Sequence, residues 1–78
     1  MAKRILNRIK GALSDAGKKN KDLADHLGVD VGTVSRWCRN IQQPPLETLF
    51  DIADFLKVPV SELLVPNKYT SPTVSRVK

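Results

Sequence analysis

Residues 22–37, "DLADHLGVDVGTVSRW", decide how this chain is built. Leu23, Ala24 and Leu27 recur at helical spacing within "NKDLADHLG" (20–28), and Gly28 stops that helix. Asp30 then offers a strong N-cap, because its carboxylate can accept the N–H of Thr33. The helix it opens carries Val34, Trp37 and Cys38 on one face. It ends near Asn40, a residue that tolerates the left-handed conformation helix ends often need. The only tryptophan, Trp37, lies three residues after Val34 and is assigned to the core, since so short an amphipathic helix needs a large anchor.

Upstream, Ile5, Leu6, Ile9, Ala12, Leu13 and Ala16 form one apolar stripe, which predicts a helix from Lys3 to Ala16 stopped by Gly17. Downstream, "IQQPP" (41–45) is a loop, and "LETLFDIADFLKV" (46–58) presents Leu46, Leu49, Phe50, Ile52, Ala53 and Leu56 at helical spacing. "PVSELLV" (59–65) reads as a last short helix with Val60, Leu63 and Leu64 apolar. Pro45 and Pro59 precede helices, where a fixed φ and a missing N–H are tolerated. No run alternates well enough to be a strand. The expectation is an all-α domain of four to five short helices over residues 1–66, followed by a flexible tail, "NKYTSPTVSRVK" (67–78).

Seventy-eight residues make one small domain, and a single cysteine excludes an internal disulfide. Close helix packing or dimerisation must therefore supply the stability. The cysteine usage suits a reducing cytoplasm. Asn7, Arg8 and Lys10 break the apolar positions near the N-terminus, against a secretory signal, and no apolar run approaches the roughly 20 residues needed to cross a bilayer. The net charge of +5 is uneven: residues 1–21 carry +6, residues 22–40 carry −1, residues 41–66 carry −3 and residues 67–78 carry +3. A basic end on a mildly acidic body suits an anionic partner, and equally suits ordinary solubilising charge.

A short helix ending in Gly28, a three-residue turn and a capped second helix make a helix-turn-helix, whose second helix points its first residues at base edges in the DNA major groove. Opposite Trp37, that helix carries Val31, Gly32, Thr33, Ser35, Arg36 and Arg39. Arg36 is the expected base reader, because its fork can pair with the O6 and N7 of guanine. Val31 can pack on a thymine methyl, Gly32 lets backbone approach closely, and Arg39, a turn lower, is placed to meet phosphate.

Residues 5–65 resemble the Cro/C1-type (XRE) helix-turn-helix regulators, the lambda-repressor-like fold. The resemblance is carried by Leu23-Ala24, Gly28, Val34-Ser35 and Pro44 within "DLADHLGVDVGTVSRW" and "QPPLETLFDIADFLKVPVSELL". It implies a phosphate contact from Asn20, with Lys19 standing where relatives have a capping Ser or Thr; if Asn20 caps the helix itself, it cannot make that contact. It also places Gln42, and with it Gln43, near the DNA backbone. Many relatives bury an Arg–Glu pair at the positions of Leu13 and Cys38. Both charges are replaced together, so Cys38 reads as a small core residue, neither metal ligand nor nucleophile. The family often dimerises around its fifth helix, which implicates Val60, Leu64 and Val65.

The resulting expectation is a sequence-specific regulator, a repressor by type, that binds double-stranded DNA as a homodimer on a roughly palindromic site. An alternative is an antitoxin-type module that binds a partner protein through its basic tail and autoregulates its operon. An enzyme is not expected: the chain offers no paired carboxylates, no Gly-rich phosphate loop and no nucleophile with a base. No cofactor or metal site is expected, since one thiol and one distant histidine, His26, read as facing solvent, do not make a zinc site.

Overall fold

The computed structural model describes residues 4–67. They form α1 (Ile9–Asp15), α2 (Asn20–Leu27), α3 (Val31–Cys38) and α4 (Leu46–Leu56), followed by a 3-10 turn, Val60–Leu63. The expected all-α architecture holds. Of the tail foreseen at 67–78, only Asn67 lies among the described residues.

All four α-helices end with the same backbone device. Gly17, Gly28, Asn40 and Lys57 adopt φ of 69°, 71°, 57° and 60°, each just beyond a helix. In each case the next N–H reaches back to a carbonyl of the last turn: Lys18 to Leu13, Val29 to Ala24, Ile41 to Arg36 and Val58 to Ala53, at 2.9–3.0 Å. These bonds occupy carbonyls that the helix leaves without partners. Gly17, Gly28 and Asn40 were legible as stops. Lys57 carries a Cβ in the left-handed region and gave no such sign.

The starts are equally specific. The Asp30 carboxylate caps α3 by accepting the N–H of Gly32 at 2.9 Å, one residue earlier than the expected Thr33; the Thr33 N–H goes to the Asp30 backbone carbonyl at 3.0 Å. A Cβ on residue 32 would lie 2.7 Å from the capping oxygen, so Gly32 gives the cap its room. Lys19 is the N-cap of α2 and has no capping oxygen in its side chain. Asp22 compensates by accepting the Lys19 N–H at 2.8 Å.

The core comprises Ile9, Leu13, Leu23, Ala24, Val34, Trp37, Leu49, Ile52, Ala53, Leu56 and Leu63. Trp37 is only 4% exposed, as its spacing from Val34 predicts. α2 and α3 pack on each other, α4 lies against α2, and the 3-10 turn closes over α4 and α1. His26 is exposed as expected, yet its ring stacks on Phe55 of α4 with centroids 4.4 Å apart.

The first helix is shorter than its apolar stripe implied. Ile5 is 65% exposed and Leu6 is also exposed, because the chain is extended before Arg8 and α1 begins only at Ile9. A buried polar cluster causes this. Oδ1 of Asn40 accepts the N–H groups of Leu6 (2.8 Å) and Asn7 (3.0 Å), and Asn40 Nδ2 donates to the Asn7 carbonyl (3.2 Å). Asn7 in turn donates to the Trp37 carbonyl (2.9 Å) and to Gln43 Oε1 (2.7 Å), while its own Oδ1 accepts the Ile9 N–H (3.1 Å) and so starts α1.

Residues around Leu64 were expected to continue the last helix. Instead Leu64 is extended and forms an antiparallel bridge with Asn7, flanked by Arg8 N–H to Leu63 O (2.8 Å) and Val65 N–H to Leu6 O (3.0 Å). This two-residue ribbon offers little edge for further strands. Asn40 occupies the outer groups of Asn7, and Pro66 has no N–H to give. On α4, Leu46 and Phe50 stay exposed although they fit the helical period.

Candidate nucleic-acid interface

Gly28, Val29 and Asp30 connect α2 to α3, and burial of Val34 and Trp37 turns the opposite side of α3 outward. Val31, Arg36 and Arg39 are exposed, and Gly32, Thr33 and Ser35 are half-buried at the margins. The reading face expected from the spacing is therefore one continuous surface, with its capped N-terminus at one end.

Arg36 is held on this surface. Its Nε donates to Oε1 of Gln42 and its Nη2 to Oγ1 of Thr33, both at 3.1 Å. Gln42 reaches Arg36 because the left-handed Asn40 reverses the chain, which the Gln42 N–H to Arg36 carbonyl bond (3.4 Å) reinforces. Gln43 behaves differently from the expectation that set it near the DNA backbone. It turns inward, accepting from Asn7 and donating to Asn40 Oδ1 at 3.1 Å, and so fastens the loop that displays Gln42.

At the start of α2, Lys19 is exposed and Asn20 is half-buried. Asn20 does not cap the helix, since Lys19 occupies that position. Its Oδ1 instead accepts from the Cys38 thiol at 3.5 Å, which leaves the amide NH2 as the group able to meet an anion. Burial pushes the Cys38 thiol above its ordinary pKa, with nearby Lys10 pulling the other way, so the group stays a neutral donor. Leu13 is fully packed and Cys38 lies half-buried against the core, in keeping with an apolar replacement for a buried ion pair. The exposed Lys21–Asp25 pair at 3.1 Å contributes little to stability.

Of the three residues expected at a dimer face, Leu64 and Val65 are exposed, whereas Val60 is half-buried and packs on the core. The ribbon sets Leu64 and Val65 beside the N-terminal segment that carries the exposed Ile5 and Leu6, a juxtaposition that helical periodicity could not reveal. Sequence reasoning missed Asn7 as a supporting residue, and with it the side-chain bonds of Asn40 and Gln43. Only the polarity of these residues between apolar segments hinted at such bonds.

Two packed helices joined by a tight turn, the second presenting a capped, basic outward face, define a helix-turn-helix protein. The chain belongs to the Cro/C1-type helix-turn-helix family, whose model matches residues 12–63, and its fold is lambda-repressor-like. It is also similar to a Bacteroides fragilis protein known from a crystal structure and named provisionally as DNA-binding. The two share 40% identity with a TM-score of 0.76, over 77% of this chain and 97% of that one. No curated protein sequence matches the chain. Among the described residues no helix is long and apolar enough to cross a membrane.

Proposed function

We infer that this protein is a sequence-specific, double-stranded DNA-binding transcriptional regulator acting as a repressor in the cytoplasm. The observation that carries the reading is the division of α3: Val34 and Trp37 are buried, while Val31, Arg36 and Arg39 stand out from a capped N-terminus. In this reading α3 enters the major groove. Arg36 takes a guanine edge and Val31 a thymine methyl. Lys19, the Asn20 amide, Ser35 and Arg39 meet phosphates, and Thr33 and Gln42 complete the surface around Arg36. The name of the Bacteroides fragilis protein supports DNA as the ligand.

One such unit makes a small interface, so two copies on a roughly palindromic site are required for useful affinity. The dimer face is Leu64 and Val65, extended by Ile5 and Leu6; its support is their joint exposure on the ribbon. Residues 1–66 act as the DNA-binding unit, with residues 67–78 as an appendage.

The test is selection of bound duplexes from a random pool, run on wild type and Arg36→Ala. Wild type should return a two-fold-symmetric motif, and the variant should lose one base preference in each half. Arg39→Ala should instead weaken all duplexes alike, and reduce the log–log salt slope by about 0.9 for each phosphate no longer neutralised. A folded wild type that returns no motif refutes the reading.

A further inference from the structure

A free arginine side chain samples many rotamers and is drawn to any nearby phosphate. Arg36 is not free in this sense. Its Nε–H is taken by Gln42 Oε1 and one Nη2 hydrogen by Thr33 Oγ1, both at 3.1 Å. Its Nη1 lies 3.6 Å from where a Cβ on residue 32 would stand, so the guanidinium lies back beside Gly32, towards the start of α3. The loop that brings Gln42 into place is fixed in turn, because its neighbour Gln43 is bonded to Asn7 and Asn40.

A guanidinium has five N–H bonds. With Nε–H and one Nη2 hydrogen engaged, the second Nη2 hydrogen and the two on Nη1 remain. Three N–H donors, two of them on Nη1, are therefore left for a ligand, and a neighbouring pair of such donors matches the paired O6 and N7 acceptors of guanine. The contact also fixes the Gln42 amide: turned over, its NH2 would confront the Nε–H donor to donor.

We propose that Thr33 and Gln42 are specificity-determining positioning residues, which hold Arg36 so that it presents its Nη1/Nη2 end to one guanine instead of wandering to the phosphates. This rests on the reading of α3 as the major-groove helix. It differs from a direct phosphate role for Gln42 and Thr33, because both act through Arg36. Ordering the side chain before DNA arrives removes an entropic cost from the specific complex. The same restraint denies the nonspecific complex an easy Arg36–phosphate contact.

Two measurements test the proposal. The first needs no DNA: 15N relaxation of the Arg36 Nε–H in the free protein, with Arg39 as the reference on the same face. Arg36 should be more ordered than Arg39, and Gln42→Ala should bring it to the Arg39 level. Equal mobility in the wild type overturns the proposal. The second compares affinity for the duplex recovered by selection with the same duplex after replacing the guanine that Arg36→Ala ceases to prefer.

A bidentate contact gives wild type a ratio of about 5- to 150-fold. Gln42→Ala and Thr33→Val should each cut that ratio several-fold, Thr33→Ser should restore it, and Gln42→Ala should add nothing in an Arg36→Ala background. Weaker binding to both duplexes alike, persisting without Arg36, would make Gln42 a phosphate contact and overturn the proposal. An ordered Arg36 in a protein with no preference among duplexes would instead refute the DNA-reading function, and the positioning role with it.

Discussion

Replacing Asn40 should damage this domain more than any other single polar substitution, and the loss can be apportioned. Asn40 Oδ1 accepts from Leu6 N–H, Asn7 N–H and Gln43 Nε2 at 2.8, 3.0 and 3.1 Å, and Nδ2 donates to the Asn7 carbonyl. Its backbone is left-handed, at φ 57°. Asn40→Ala places a Cβ without a compensating polar group in that region, costing about 1 kcal/mol or slightly more. It also strands the Asn7 N–H, whose residue is 4% exposed, for about 1–3 kcal/mol. The sum of about 2–4 kcal/mol is most of the roughly 3–5 kcal/mol that a core this small supplies, so the variant should be only marginally folded at 25 °C.

Two further variants separate the causes. Asn40→Gly relieves the backbone strain and should lose about 1–3 kcal/mol, while Asn40→Asp keeps the acceptor but buries a carboxylate whose second oxygen faces the Asn7 carbonyl, and should lose at least as much at neutral pH. Urea titrations followed by the fluorescence of Trp37, the only tryptophan, give the order directly as shifts in midpoint at constant slope. If Asn40→Gly matches wild type, the polar cluster adds nothing and the residue is selected only for its backbone. If Ala and Gly are equal, the left-handed conformation carries no strain.

Trp37→Ala should cost about 3–5 kcal/mol by emptying the anchor beneath α3, and an unchanged melting temperature would show that Val34 and Leu23 hold the helix without it. Cys38, whose folded pKa lies above its unfolded value, should react slowly with iodoacetamide until the domain unfolds. The unfolded chain releases the thiol proton first, so stability from this group is intact below the ordinary value of 9.0 and declines as pH rises through the folded value. Cys38→Ala should remove that part of the alkaline decline, and a decline of equal steepness in the variant would assign it elsewhere.

α2, the turn and the start of α3 were legible because their determinants are local. Gly28 ends one helix, Asp30 caps the next within two residues, and the Val34–Trp37 spacing sets which face is buried. Each is decided by neighbours inside one or two helical turns, the range over which periodicity carries information. The same pattern exposed the outward residues of α3 but said nothing of their mutual bonds. Arg36 meets Thr33 within its own helix, yet it meets Gln42 only after the chain reverses at Asn40.

What the sequence by itself determined is thus the helix-turn-helix, its caps and its buried anchor. The tertiary structure decided where the N-terminal apolar stripe stops. Ile5 and Leu6 fit the period of α1, but the N–H groups of Leu6 and Asn7 are claimed by Asn40, 34 and 33 residues away. The Leu64 bridge then holds that segment extended, against the helical expectation for Ile5 and Leu6 and for Leu64 and Val65. Helical periodicity ranks faces within one segment. It cannot register that a distant amide offers buried N–H groups a partner, and in a small domain a few such nonlocal bonds outweigh the modest gain from one more turn of helix.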